Sequence, residues 1–507
     1  MKRNQTVHVI GAVTLVTLFA KLLGIVREAL QARAFGTLVQ ADLYTTANNT
    51  TIYLFTTVAY ALCIAAVPIL TPRLRRDRRE GVRAAGNLMT IGVLASLAAA
   101  ALWIAATFTP WLGSLWEGSG EERASYIRVM ALTLPVIVLT YLLVALFQSL
   151  EHFVLQGSMS IPYNLALILF LILFAPRLGV GGYVAAVALA WLLQLGMTVP
   201  YMVRERCFPR PRLDLRADYV KTFLRTAAVT VLTTSIFLFC YLQDSGMTAQ
   251  LADSPVSAFY YADKLFTPLT TTLIYSISTV LFPQFSQEYA QRDRGEYARY
   301  IWGVLRSTLT LILPMSALLA AFGTPIVKVL FQGGSFDAAS TASTGAIFTI
   351  YALSMAGFCA LDLLSKAYYT MEKTLTPLLV NAGILLCNWG LNRLMGPRWG
   401  GAGLAAATAV SITAGAVLMT LLFLRGTDGI RAVPLLKSAM AALASGGALW
   451  AAAGLVLTGA EGKALLVAKC VGLGAAAMAV YAALMLLMRQ EDLLELLGRY
   501  KKRRGPV

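Results

Sequence analysis

Leu54-Phe55-Thr56-Thr57-Val58-Ala59-Tyr60-Ala61-Leu62-Cys63-Ile64-Ala65-Ala66-Val67-Pro68-Ile69-Leu70 carries no charged residue, and Arg73, Arg75 and Arg76 follow almost at once. A helix on the surface of a soluble core keeps a polar stripe. This stretch has none, and with the residues before it the stretch is long enough to cross ~30 Å of hydrocarbon, which takes about 20 residues. Stretches of the same kind recur along the chain. Of its 507 residues 58% are hydrophobic and 13% charged, with mean hydropathy +0.68, whereas soluble domains carry about 25% charged residues. The composition predicts an all-α polytopic membrane protein of about fourteen spans. They lie near 7–35, 41–70, 85–109, 124–149, 158–176, 181–203, 222–252, 255–284, 300–322, 341–368, 374–395, 400–424, 434–457 and 464–488. The start, Met1-Lys2-Arg3-Asn4, leads into an apolar stretch too long for a signal peptide, and no small-residue cleavage site follows.

The quoted stretch has an echo. Thr56-Thr57, Tyr60 and Pro68 match Thr271-Thr272, Tyr275 and Pro283, and Pro162 matches Pro377 at the same offset. Gly182-Tyr183-Val184-Ala185-Ala186 resembles Ala402-Gly403-Leu404-Ala405-Ala406 after a five-residue slip. An even number of spans separates the partners, so the repeat is parallel and its axis runs along the membrane normal. Parallel repeats are a transporter architecture, with the substrate site between the halves. The division expected is an N-terminal lobe over 1–203, a C-terminal lobe over 204–424 with a cytoplasmic linker at 204–221, and two added helices with a basic tail over 425–507.

Net charge is +17, and the basic residues sit in short loops. That pattern orients a membrane protein rather than binding nucleic acid. Arg73 to Arg83 follow span 2, and Arg204 to Arg225 follow span 6. The opposite loops hold only Arg123, Arg128, Arg177, Lys328, Arg393, Arg398 and Lys463. The richer face is cytoplasmic by the positive-inside rule, which puts both termini there, and the tail Arg499-Tyr500-Lys501-Lys502-Arg503-Arg504 lies near anionic head groups.

Some charges fall inside the spans. Arg33, Arg306, Lys366 and Lys469 are near span ends and can snorkel. Lys21, Arg27 and Lys264 are deeper. Burying such a charge costs ~2.5–3.5 kcal/mol or more, so each faces a wet cavity or a partner. Glu28, Asp42, Asp244, Asp263 and Asp362 are available as partners. The alternative is an anion site drawing Lys21 and Arg27 from span 1 and Lys264 from span 8. A diphosphate suits it, since Arg offers a bidentate fork and Lys a compact charge. On an ideal helix Lys21 and Arg27 point roughly 120° apart, onto adjacent walls, unless Gly24 permits a bend. Span 2 opens with Thr45-Thr46-Ala47-Asn48-Asn49-Thr50-Thr51. Those polar groups either line the cavity or bond to neighbouring helices.

No nucleotide phosphate loop, HExxH, GxSxG or GxGxxG context occurs, so neither an enzyme nor a cofactor is expected. Cys63, Cys207, Cys240, Cys359, Cys387 and Cys470 are scattered, and the only histidines are His8 and His152. No metal cluster is expected; Asp244 is a weak Na⁺ candidate in the C-terminal lobe. Transport must then draw on an ion gradient, the membrane potential or the substrate gradient.

Ala20-Lys21-Leu22-Leu23-Gly24-Ile25-Val26-Arg27-Glu28-Ala29, then Ala32-Arg33-Ala34-Phe35-Gly36 and Ala41-Asp42, resembles the first-helix signature of the MurJ (MviN) lipid II flippases of the MOP exporter superfamily. Tyr260-Tyr261-Ala262-Asp263-Lys264-Leu265 with Leu281-Phe282-Pro283 is similar to their eighth helix. Phe331-Gln332-Gly333-Gly334-Ser335-Phe336 resembles their outer loop before helix 10, and Tyr368-Tyr369 with Lys373-Thr374-Leu375-Thr376-Pro377 their junction of helices 10 and 11. The resemblance implies two six-helix lobes around a cationic cavity, alternating access, and two extra helices that form a groove for the lipid tail. It carries the family's first-helix cations onto Lys21 and Arg27, its loop aspartate onto Asp42, and its Asp-Arg pair onto Asp263 and Lys264. Glu28, Asp42 and Asp263 are read as gating or balancing charge, and Asn48 and Asn49 as cavity-lining. The sequence departs from the family pattern. Lys21 and Lys264 stand where many members have Arg, Leu54 and Thr57 where some carry Arg and Glu, and Thr267 where some have Glu. The expected activity is transfer of the peptidoglycan precursor lipid II across the bacterial plasma membrane. A different polyprenyl-diphosphate glycan, such as a capsule or teichoic precursor, fits the same cluster. A cation-coupled exporter of small amphipathic cations fits it less well, because a positive cavity repels them.

Overall fold

A computed structural model describes residues 3–37, 39–109, 120–248, 256–371, 373, 375–425, 427–429, 431–457 and 461–490. The expected basic tail lies outside the described residues, as do the side chains of His8, Cys240, Thr271, Thr272, Tyr275 and Pro283. The helices are α1 (Arg3–Phe35), α2 (Val39–Asn48), α3 (Leu54–Arg76), α4 (Arg78–Ala106), α5 (Gly120–Ala131), α6 (Leu134–Ser149), α7 (Phe153–Ser158), α8 (Ser160–Leu173), α9 (Ala175–Gly196), α10 (Val199–Arg204), α11 (Asp218–Thr248), α12 (Val256–Gln291), α13 (Arg294–Ala321), α14 (Gly323–Leu330), α15 (Ala338–Leu353), α16 (Met355–Thr370), α17 (Leu375–Leu424), α18 (Val433–Val456) and α19 (Lys463–Leu487). Among the described residues there is no strand, only one isolated bridge between Gly333 and Phe336.

Among the described residues every expected span is largely helical. Eight helices among the described residues are long and apolar enough to cross a membrane, or nine if the pair α15 and α16, bent by 42°, is one span. The expected fourteen is not reached by that test, in part because α17 is a single run of 50 residues covering two expected spans.

The reason is the backbone at two glycines. Gly400 takes φ 57° and ψ −142° inside α17, and Gly179 takes φ 57° and ψ −155° inside α9. Glycine adopts such a conformation without a Cβ penalty. After Gly400 the chain folds back. A Cβ on Gly415 would meet Ile384, and Asn388 Nδ2 donates to Thr408 Oγ1 at 2.7 Å. Both turns carry the same Pro-Arg-x-Gly pattern, Pro176-Arg177-Leu178-Gly179 and Pro397-Arg398-Trp399-Gly400. The parallel repeat is thus visible in backbone geometry. Matching the two glycines pairs Gly182 with Gly403 rather than with Ala402, so the slip is six residues, not five.

By contact the chain divides into two compact units. The first holds 1–250, 255–257 and 333–336, and the second the remainder. This boundary lies beyond the lobe boundary drawn from the repeat, because α11 packs on α3 in the first unit. There α3 and α4 also pack on α6, and Leu70, Leu146, Phe147 and Tyr183 lie in a buried core. In the second unit α13 packs on α18, and α18 on α19. Buried hydroxyls join them: Tyr481 donates to the Thr310 carbonyl at 2.8 Å, and Thr310 and Ser438 lie 3.0 Å apart.

Loops expected on one side meet at one end of the first unit. Arg73 pairs with Asp218 at 3.4 Å, Arg75 with Glu151 at 3.3 Å, and Arg78 with Glu205 at 2.7 Å. His152 Nε2 lies 2.9 Å from the other Glu205 oxygen. The Arg78 guanidinium, helped by His152, holds the Glu205 carboxyl below the usual carboxylate range. A depressed carboxylate stabilises the fold above its ordinary pKa, about 4.3, and loses that contribution as pH falls through the depressed value. The melting temperature of the detergent-solubilised protein should therefore fall with acidification below about pH 4, and Glu205→Gln should flatten that part of the profile. An unchanged profile in the variant would count against the knot.

Candidate functional site

The first unit holds most of the expected cationic site. Helix α1 runs unbroken through Gly24, where an added Cβ would approach Asn164 Nδ2 at 3.8 Å. No break rotates Lys21 and Arg27 onto one stripe. Lys21 is exposed, whereas the Arg27 side chain is only 13% exposed. The Arg27 guanidinium pairs with buried Glu28 and lies 5.4 Å from the Tyr163 ring centre. The Tyr163 ring is packed in turn against Trp191 at 5.4 Å. An arginine inside a long helix of a membrane protein is thus held by one carboxylate and one aromatic face. The sequence spacing alone did not show the Tyr163 contact, since α1 and α8 meet only in the fold.

Next to this, Gln31 accepts a hydrogen bond from the Tyr183 hydroxyl at 2.8 Å, and Tyr183 packs on Phe35 and Tyr44. The polar opening of span 2 becomes a π-helical turn at Asn49–Tyr53. The Thr50 hydroxyl donates to the Thr46 carbonyl at 2.8 Å, and this competition with the main-chain ladder favours a widened turn. Asn48 and Asn49 are buried, and Trp103 Nε1 donates to Thr51 Oγ1 at 3.1 Å.

Asp42 Oδ1 accepts the Ser257 main-chain N–H at 2.8 Å. Ser257 sits in the first turn of α12, whose leading N–H groups have no partner within the helix, so Asp42 caps that helix. Buried Arg123 lies in the electrostatic field of Asp42. We expect Asp42→Ala to lose roughly 0.5–2 kcal/mol, read as a lower melting temperature. Asp42→Asn keeps an acceptor and should lose less; equal losses would show that the charge, not the cap, matters.

A second contact closes around the end of α1. Ser335 N–H donates to the Arg33 carbonyl at 2.8 Å, and Ser335 Oγ donates to the Ala34 carbonyl at 3.1 Å. Gly334 and Gly36 take φ +58° and +60°, and a Cβ on either would stand 2.3 Å or 2.1 Å from a main-chain oxygen. The segment Gly333–Phe336 is therefore seated on the end of α1 by main-chain contacts and the Ser335 hydroxyl.

In the second unit Asp263 is buried and accepts the Thr267 hydroxyl at 2.6 Å. Lys264 Nζ lies 5.1 Å from the Tyr260 ring centre. Asp362 is taken by Lys366, four residues on, at 2.9 Å. Asp244, expected in the C-terminal lobe, lies on α11 in the first unit and is fully buried. Among the described residues no group of three or more His, Cys, Asp or Glu could hold a metal ion. Sequence reading missed a polar set in the α17 hairpin, where Asn392 donates to Asn388 Oδ1 at 3.2 Å and Asn388 to Thr408. Two asparagines four apart in an apolar span were the available signal.

Apolar helices, a duplicated broken hairpin and an arginine held inside a membrane helix define a polytopic membrane transporter. The sequence model of the lipid II flippase MurJ family matches residues 31–468, and the chain belongs to that family. The lipid II flippase MurJ of Burkholderia cenocepacia is 27% identical over 430 residues, covering 81% of each chain. The probable lipid II flippase MurJ of Rhizobium meliloti is 27% identical over 500 residues, covering 92% of this chain and 91% of that one. A solved structure of lipid II flippase MurJ in an inward closed conformation shares the fold, with TM-score 0.78, 18% identity, and coverage of 95% and 99%. An inward-facing multidrug resistance MATE family transporter of the MOP superfamily shares it with TM-score 0.66 and 13% identity.

Proposed function

We propose that this chain moves lipid II from the inner to the outer leaflet of the bacterial plasma membrane by alternating access, with both termini in the cytoplasm. The observation that carries the reading is Arg27, an arginine inside a membrane helix oriented by Glu28 and Tyr163. Its fork suits a diphosphate. Lys21 supplies a second charge from the same helix, and Lys264 a third from the second unit. Asp42 and Asp263 serve the conformational change: one caps α12 and the other is held by Thr267. The chain lacks a nucleotide phosphate loop, so the drive is a gradient or the membrane potential. The relatives' printed names and the basic loops support substrate and orientation respectively. The test is complementation. A bacterium depleted of its own lipid II flippase should grow when this chain is expressed. Lysis despite normal membrane levels would assign the chain another polyprenyl-diphosphate glycan.

A further inference from the structure

The segment 203–216 joins Arg204, Arg206, Arg210, Arg212 and Arg216 to four large apolar side chains. Val203, Phe208, Leu213 and Leu215 are 58%, 56%, 57% and 64% exposed. Such exposure on a segment that leaves helix α10 after Arg204 and forms no further helix or strand up to 216 is ordinarily a sign of loose chain, but this one is fixed. Asn87 on α4 binds both main-chain groups of Asp214, donating to its carbonyl at 2.9 Å and accepting its N–H at 2.7 Å. Arg212 N–H donates to Thr90 Oγ1 at 3.1 Å. A Cβ on Gly86 would stand 2.3 Å from the Arg210 carbonyl, so the linker runs hard against α4. Cys207, within the linker, is buried.

The place of attachment sets the depth. Helix α4 has 29 residues, more than the ~20 that cross the hydrocarbon. Counting ~20 back from its apolar end at Ala106 reaches Asn87. The linker is therefore pinned at the level where acyl chains give way to head groups. At that level exposed Phe and Leu side chains leave water, while arginines remain among phosphates. Of the acids within reach, Glu205 is engaged by Arg78 and His152, and Asp214 offsets only Arg212, at 3.4 Å.

We propose that residues 203–216 form a fixed docking surface for anionic phospholipid, with the arginines on the head groups and Phe208, Leu213 and Leu215 among the upper acyl chains. The surface selects lipid at one site on the first unit and is separate from the cations of α1. It accounts for an extended linker held by side-chain-to-main-chain bonds rather than left as a free tether.

The test places a photoreactive benzoylphenylalanine at position 213 in the full chain. The protein is reconstituted in vesicles of phosphatidylcholine with a quarter phosphatidylglycerol, and the cross-linked lipid is identified by mass spectrometry. The expected result is phosphatidylglycerol captured several-fold above its share of the bilayer. Each arginine near an anionic surface is worth roughly fivefold, so Arg210→Gln, Arg212→Gln and Arg216→Gln together should return capture to the bulk ratio. High salt on the unmodified linker should do the same by screening, which keeps the test independent of how the triple variant folds. Capture at the bulk ratio in the parent protein, or capture of no lipid, overturns the proposal.

Discussion

Arg27→Ala should abolish growth complementation while leaving membrane levels normal. Two charge-assisted hydrogen bonds from one guanidinium to a diphosphate are worth roughly 3–6 kcal/mol, at least a hundredfold in substrate affinity. Arg27→Lys keeps the charge, loses the fork and should fall between. A rival explanation is that Arg27 serves only to neutralise Glu28, which is buried beside it. Leaving a buried carboxylate alone costs roughly 3–5 kcal/mol. The double variant Arg27→Ala, Glu28→Gln separates the two: it removes the orphaned charge and should restore melting temperature without restoring growth. Growth restored by the double variant would reduce Arg27 to a structural ion-pair partner.

Gly334→Val should be strongly damaging although it lies outside the cationic site. Its φ is +58°, and the added Cβ would stand 2.3 Å from the Arg33 carbonyl oxygen. A β-branched residue in that conformation costs roughly 1–2 kcal/mol before any collision. The neighbour here is main chain and cannot swing aside, so the total should reach a few kcal/mol and the loop should leave α1. Gly179→Ala is the control, because Gly179 has nearly the same φ, +57°, with nothing within 4 Å of its added Cβ. It should show the conformational cost alone, with growth preserved. Similar losses of melting temperature in the two variants would mean that close packing of Gly334 on α1 is unimportant.

The contrast between these glycines shows what could be read from the sequence. The apolar spans, the lobes as repeats and the cations of α1 are local or periodic, and they appear in composition and spacing. Gly334 matters because Arg33, three hundred residues earlier, passes beside it; no local pattern encodes that approach. Tyr163 under Arg27 is the same kind of contact. The Pro-Arg-x-Gly turns at Gly179 and Gly400 were visible as letters, yet a slip of five rather than six hid their equivalence. Asp42 was legible as a charge, but its hydrogen bond to the Ser257 main chain, 215 residues on, was not. Asn48 and Asn49 were open to either a cavity lining or bonds to neighbouring helices, and both are buried within the protein.

The most direct test of lipid II transfer is the exposure of lipid II on the outer leaflet. Cells depleted of their own flippase and expressing this chain are treated with an enzyme that cleaves lipid II and cannot cross the membrane. The account predicts that cleavage product appears with the wild-type chain and is lost with Arg27→Ala at equal membrane levels. Lipid II that stays protected in cells containing the wild-type protein would contradict it.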